Sequence, residues 1–197
     1  MTNRREFLQI GVTATAWPLV ARAVQAAGLE TVPQWTPITA VVYDTRFADS
    51  VAFAHRSASL GLTTHPIDAD MTRLWYDEIY HRWQQGPAAI AGLTAYGPMF
   101  CFAELARDVR MRIVFKAEHR TVASTQIAHE ITGPVSMLSD AVGACTRPGG
   151  FGSAMADIVS HCPTGRNEIS SAQVGRVDIS PDEDALYTWV IAPAQRA

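Results

Sequence analysis

Short apolar runs alternate with segments of helical period between residues 38 and 117, and this alternation constrains the fold more than any other feature of the chain. Ile38 to Tyr43 is apolar and β-branched, ends in Asp44-Thr45, and reads as a buried strand. A helix is predicted over about 46–60, with Asp44 or Thr45 as its cap, Phe47, Val51, Ala54 and Ala58 near helical spacing, and Gly61 as its stop. Leu62 to Ile67 is a second strand, and Pro66 marks it as an edge strand or one that ends early. Asp70 is a natural N-cap for a helix over 71–83, with Leu74, Trp75, Ile79 and Trp83 toward the core and Gln85-Gly86-Pro87 as the stop. Ala88 to Leu93, rich in small residues, is a third strand, and Gly92 to Pro98 reads as the loop after it. Pro98 suits the first turn of a helix over 99–109, and Met111 to Ala117 is a fourth strand. Strand and helix in strict alternation predict βαβ units. The expected fold is therefore a small three-layer α/β domain over 38–197, with a mainly parallel sheet of four or five strands.

The pattern degrades after Glu118. Residues 121–150 are rich in Thr, Ser, Gly and Pro, so the C-terminal third is expected to be loop-rich, with one helix over about 152–161. A structureless stretch of that length is unusual inside a domain and points to a binding arm or to a segment that orders only on a partner. Leu186 to Ile191 reads as a terminal strand after the turn Ser180-Pro181-Asp182, expected to add antiparallel to the sheet edge.

The chain opens Met1-Thr2-Asn3-Arg4-Arg5-Glu6-Phe7-Leu8, and a mildly apolar stretch runs from Ile10 to Val20. That stretch is too short and too weakly apolar to span a bilayer, Pro18 interrupts any helix in it, and Ala21-Arg22-Ala23 and Val24-Gln25-Ala26 offer small-residue cleavage sites. The paired arginines Arg4 and Arg5, one polar residue and Phe-Leu resemble the twin-arginine signal pattern. The resemblance covers residues 1–26 alone. It implies folding in the cytoplasm, export in the folded state and a periplasmic location, with 27–37 as a linker.

Of 16 basic and 19 acidic residues, three and one lie in 1–26, leaving 13 and 18, net −5. That balance opposes nucleic acid and anionic membrane surfaces as partners, since both need a basic face. The three cysteines leave at least one thiol unpaired. Cys145 and Cys162 flank a Gly-rich segment and are candidates to pair, while Cys101, in Met99-Phe100-Cys101-Phe102, reads as a buried small hydrophobe. No C-x-x-C, C-x-x-C-H or His/Cys cluster with metal-ligand spacing occurs, so no metal is expected.

Open parallel sheets bind ligands at the carboxyl ends of their strands. On this reading those ends carry Asp44 and Arg46, Asp68 and Asp70, Thr94 and Tyr96, and Glu118, His119 and Arg120. Asp44, Arg46, Asp68, Asp70, Thr94 and Glu118 are the candidate ligand-binding residues. His119 is the candidate general base and Tyr96 a candidate donor. The more ordinary reading is that Asp44 and Asp70 are helix caps, that Arg46 and Glu118 form a solvated ion pair with each other, and that His119 is a loop histidine. The glycines of 92–98 form a candidate anion site at a helix start but lack the full G-x-G-x-x-G or Walker spacing. Ser57 and Ser59 have no nucleophile elbow, and His129-Glu130 is not H-E-x-x-H because residue 133 is Gly. Trp75, Tyr76, Tyr80 and Trp83 exceed what one buried stripe needs and are expected to contact a protein partner.

Two functions fit. The first is an accessory or small subunit of an exported redox enzyme, carrying the signal for a larger protein such as a flavoprotein dehydrogenase; the flavin then belongs to the partner and this chain holds no cofactor. The second is a free-standing periplasmic enzyme or small-molecule binder using the strand-end crevice.

Overall fold

A computed structural model describes residues 37–86, 88–123, 126–147, 150–163, 167–175 and 185–193. The expected signal peptide with Arg4 and Arg5, the linker up to residue 36 and the turn at 180–182 lie outside the described residues. One sheet holds seven strands in the order β2-β1-β3-β7-β4-β5-β6. They are β1 Ile38–Asp44, β2 Thr64–Ile67, β3 Ala89–Ala95, β4 Met111–Ala123, β5 Gln126–Pro134, β6 Ile169–Val174 and β7 Leu186–Pro193. The helices are α1 Ala48–Ser59, α2 Thr72–Leu74, α3 Tyr80–Gln85, α4 Tyr96–Asp108, α5 Val135–Cys145 and α6 Gly152–Ser160, with a π-helical segment Trp75–Ile79 joining α2 to α3.

The first half follows the alternation in the sequence. β1 pairs in parallel with β2 and β3, and β2 is an edge strand, where Pro66 is tolerated because no strand pairs on its outer side. Gly61, at φ +83°, ends the turn after α1.

The expectation of a mainly parallel sheet is corrected: the sheet is mixed, because β7 enters between β3 and β4 and runs antiparallel to both. β3 and β4 therefore still point the same way, joined by α4 as a crossover with one strand between them. β7 is central rather than an added edge, and Leu186 to Ala192 is buried throughout, as a strand covered on both faces must be.

The loop-rich reading of the C-terminal third is corrected as well. β4 runs on through His119 to Ala123, and β5 pairs back along it. Within 121–150, Ile127, His129 and Ile131 alternate with Ala128, Glu130 and Thr132, a two-residue period that the Thr, Gly and Pro content conceals. α5 follows without a loop.

Helices cover both faces. α1, α5 and α6 pack on one through Phe53, Met137, Ala141, Met155 and Val159. The Trp75–Ile79 segment, α3 and α4 pack on the other through Ile79, Trp83, Met99 and Phe102. Gly92 is not in a loop but inside β3, opposite Trp189. A Cβ there would stand 2.4 Å from the indole, so the missing side chain is what lets Trp189 lie flat across the sheet centre. The indole Nε1–H donates to Thr94 Oγ1 at 3.1 Å.

Candidate functional site

β4 decides where the chemistry lies. Ile113 pairs with Ile191 and Phe115 with the next residue, Val190, so Val114 is an extra residue in the strand. Such a bulge carries every later side chain to the opposite face. Met111 and Ile113 belong to the α4 side, whereas Phe115 and Ala117 belong to the core under α1, α5 and α6. His119 follows in phase, opposite His129 of β5.

The Nδ1 atoms of His119 and His129 stand 2.7 Å apart, and His119 Nε2 lies 2.8 Å from Thr188 Oγ1 of β7. One ring therefore donates its Nδ1–H to the other's bare Nδ1, and a second proton on the accepting ring would occupy that nitrogen and break the bond. Phe151, just before α6, stacks on His119 with centroids 3.9 Å apart and meets His129 edge-on at 5.4 Å. Burial, then the neighbouring imidazole, pushes the His119 pKa well below its ordinary value. Burial lowers that of His129 to about 4, against the pull of the Asp49 carboxylate. Both rings are neutral at pH 7. Cys145, in the last turn of α5, completes the cluster: one donor atom from each of His119, His129 and Cys145 lies within 4.8 Å of the others. Burial pushes the Cys145 thiol up to about 12.

A cleft of about 310 Å³ opens beside this pair, lined by Arg46, Phe47, Asp49, His119, Thr121 and Phe151. Asp49 Oδ1 accepts the backbone N–H of Gly152 at 3.0 Å, tying the start of α6 to the start of α1.

The other sequence-predicted residues disperse. Asp44 is buried and occupied: its carboxylate takes Nε and Nη2 of Arg46 at 2.9 and 2.7 Å, while its backbone N–H donates to Ser50 Oγ, whose hydroxyl donates to Leu93 O. Of that pair only Arg46 faces the His119 cleft. Asp68 and Asp70 line a separate cleft of about 660 Å³ with His65, Arg73, Asp77 and Glu78. Asp70 accepts the Thr72 N–H at 2.8 Å, and hydrogen bonding to Thr72 lowers its pKa. Thr94 is buried and committed to Trp189 and Ala95 O. Tyr96 and Glu118 fall on the α4 face, where Tyr96 meets Tyr187 edge-on and Glu118 pairs with Arg120. Burial and Glu118 together raise the Tyr187 pKa to about 12. The strand ends thus do not form one crevice, because the pleat and the bulge send their side chains to opposite faces.

The loop read at Gly92–Pro98 is also corrected, since β3 passes directly into α4, with Gly92 inside the strand and Gly97 inside the helix. Of the four aromatic residues on the α2–α3 arm, Trp83 is core, donating Nε1–H to Ala88 O, and Trp75 is half-buried against it; Tyr76 and Tyr80 are exposed. Cys101 is exposed rather than buried, and Cys145 and Cys162 are free thiols.

Sequence reasoning missed His129 and Cys145. The signal for His129 was its inward phase between Ile127 and Ile131; Cys145 carries none, because only packing of α5 on the sheet brings it near. Comparison with protein-family models, curated proteins and solved structures finds no match to the chain.

Proposed function

We propose that this chain is a periplasmic accessory subunit of an exported redox enzyme, docking on a larger protein for which it carries the twin-arginine signal. The observation that carries the reading is the helical layer on one sheet face. Tyr76 and Tyr80 on the α2–α3 arm, and Tyr96 and Phe100 on α4, are all exposed, the last two at 55% and 46% and stacked on each other. Tyrosine and phenylalanine are enriched in interface cores, and these exposed rings form an apolar patch of the kind a partner covers. Folded export suits a partner that acquires its cofactor in the cytoplasm, and a flavoprotein dehydrogenase is the expected kind.

The test is to purify the C-terminally tagged protein from periplasm at native level, identify co-purifying chains and record the absorbance. A stoichiometric larger chain with flavin absorbance supports the subunit reading. A lone chain overturns it and leaves the second one, a free-standing enzyme or small-molecule binder. What favours that second reading is the cleft beside His119.

A further inference from the structure

We propose that His119, His129 and Cys145 bind one transition-metal ion that takes imidazole nitrogen and thiolate sulfur together, zinc(II) or copper. The inference does not depend on the accessory-subunit reading. It rests on three elements, β4, β5 and α5, delivering one donor each to a common point, with all three atoms within 4.8 Å of one another.

The donor set selects the ion. Two imidazoles and a thiol offer no carboxylate or carbonyl oxygen, which magnesium and calcium require. Two nitrogens and one sulfur match zinc, and they match the trigonal His2Cys sets that copper takes.

The orientation of the rings points the same way. Histidine ligands have the second ring nitrogen held by an outer partner, which sets the tautomer and aims the first. Thr188 Oγ1 holds His119 Nε2 at 2.8 Å and leaves Nδ1 aimed at His129. Phe151 packs on both rings and fixes their planes. Metal–nitrogen bonds of about 2.0–2.1 Å at a tetrahedral angle place two nitrogens roughly 3.3 Å apart. The rings stand 2.7 Å apart, so a small opening, on the order of half an ångström, admits the ion. Entry is through the cleft whose wall includes His119 and the Asp49 carboxylate.

Binding involves no redox change. The ion forms bonds to Nδ1 of each histidine and to Cys145 Sγ, and the S–H bond breaks with its proton released to solvent. The hydrogen between the rings moves to the Nε2 of the ring that carried it, so one proton leaves per ion. His119 Nε2–H then donates to Thr188 Oγ1.

The full chain, stripped with a chelator, is titrated with cobalt(II) as a probe for zinc, and separately with copper. One ion per chain and a thiolate-to-metal absorption band are expected. Cys145→Ser loses the band, and Cys101→Ser keeps it. Thr188→Val, which removes only the outer partner, weakens binding by about 10–100-fold. If Cys145→Ser does not fold, alkylation of the wild-type chain decides: bound ion shields Cys145 and leaves Cys101 reactive. Substoichiometric uptake, a band that survives in Cys145→Ser, or equal labelling of Cys145 with and without metal overturns the site and leaves the His–His pair as a core hydrogen bond.

Discussion

His119 and His129 face each other across β4 and β5 with their Nδ1 atoms 2.7 Å apart, a contact that two neutral imidazoles can make and two imidazolium rings cannot. The shared hydrogen makes the cluster sensitive to acid. Among the described residues, the groups around it include the Asp49 carboxylate, the Cys145 thiol and the Thr188 hydroxyl, with Arg46 in the wall of the same cleft, and the carboxylate favours protonation of His129.

The metal-free chain is therefore expected to lose stability in acid. An unfolded histidine takes a proton near 6.5, and folded His129 only near 4. Between those values the unfolded chain binds more protons, so the contribution is complete above about pH 6.5 and is lost as pH falls toward about 4. Urea denaturation across that window should show the decline, with a shallower slope in His129→Gln. A profile that stays level in the wild-type chain would contradict neutral burial of the pair.

Thr188→Val should destabilise the metal-free chain by about 1–3 kcal/mol, because the isosteric change strands the buried His119 Nε2 without this partner. Denaturant midpoints at constant slope measure it. A loss under about 0.5 kcal/mol, the range of an ordinary surface change, would mean that the ring finds another partner.

Gly152→Ala should cost about 1–3 kcal/mol by overpacking. Its Cβ would lie 1.9 Å from the backbone oxygen of Asp49, where neither backbone has a flexible end to move aside. Thermal melting reads the effect, and the same variant should loosen Phe151 from the two histidines, visible as a shift of their ring resonances.

The aromatic residues of the α2–α3 arm should separate by role. Trp83→Ala removes a core side chain and its bond to Ala88 O, and is expected to cost about 3–5 kcal/mol. Tyr76→Ser, at a residue 63% exposed, should stay within about 0.5 kcal/mol. Equal losses in denaturation would refute the assignment of Tyr76 to a surface free for a partner.

Alkylation of the native chain should modify Cys101 and spare Cys162, whose thiol burial pushes up to about 12. Mass mapping before and after unfolding checks this. Labelling of Cys162 in the native state would place it outside the core.

The parts of the fold legible in sequence were those written as local period. β1, α1, β2 and α4 appear close to where apolar spacing and Gly61 put them, because each signal sits within its own element. β5 was missed since its inward residues include a histidine and its outward ones are threonine and glutamate, which composition alone assigns to a loop. Among site residues His119 was singled out for a wrong reason, as a loop residue after a strand, when it is buried inside β4. The reading of Asp44 and Asp70 as helix caps is corrected: the cap positions are Phe47 and Met71, neither with a side-chain cap bond, while Asp44 accepts the Arg46 N–H and Asp70 the Thr72 N–H two residues on.

The sequence by itself determined which segments are strands and helices in the first half, and which of their residues are apolar enough to be buried, since both follow from neighbours a few positions apart. Only the tertiary structure decided that β7 enters the middle of the sheet, that the extra residue at Val114 turns His119 toward α5, and that His129, Cys145 and Thr188 meet it there. The contacts of His119 alone reach a residue 69 positions away, and no local period records a pairing made by the register of distant strands.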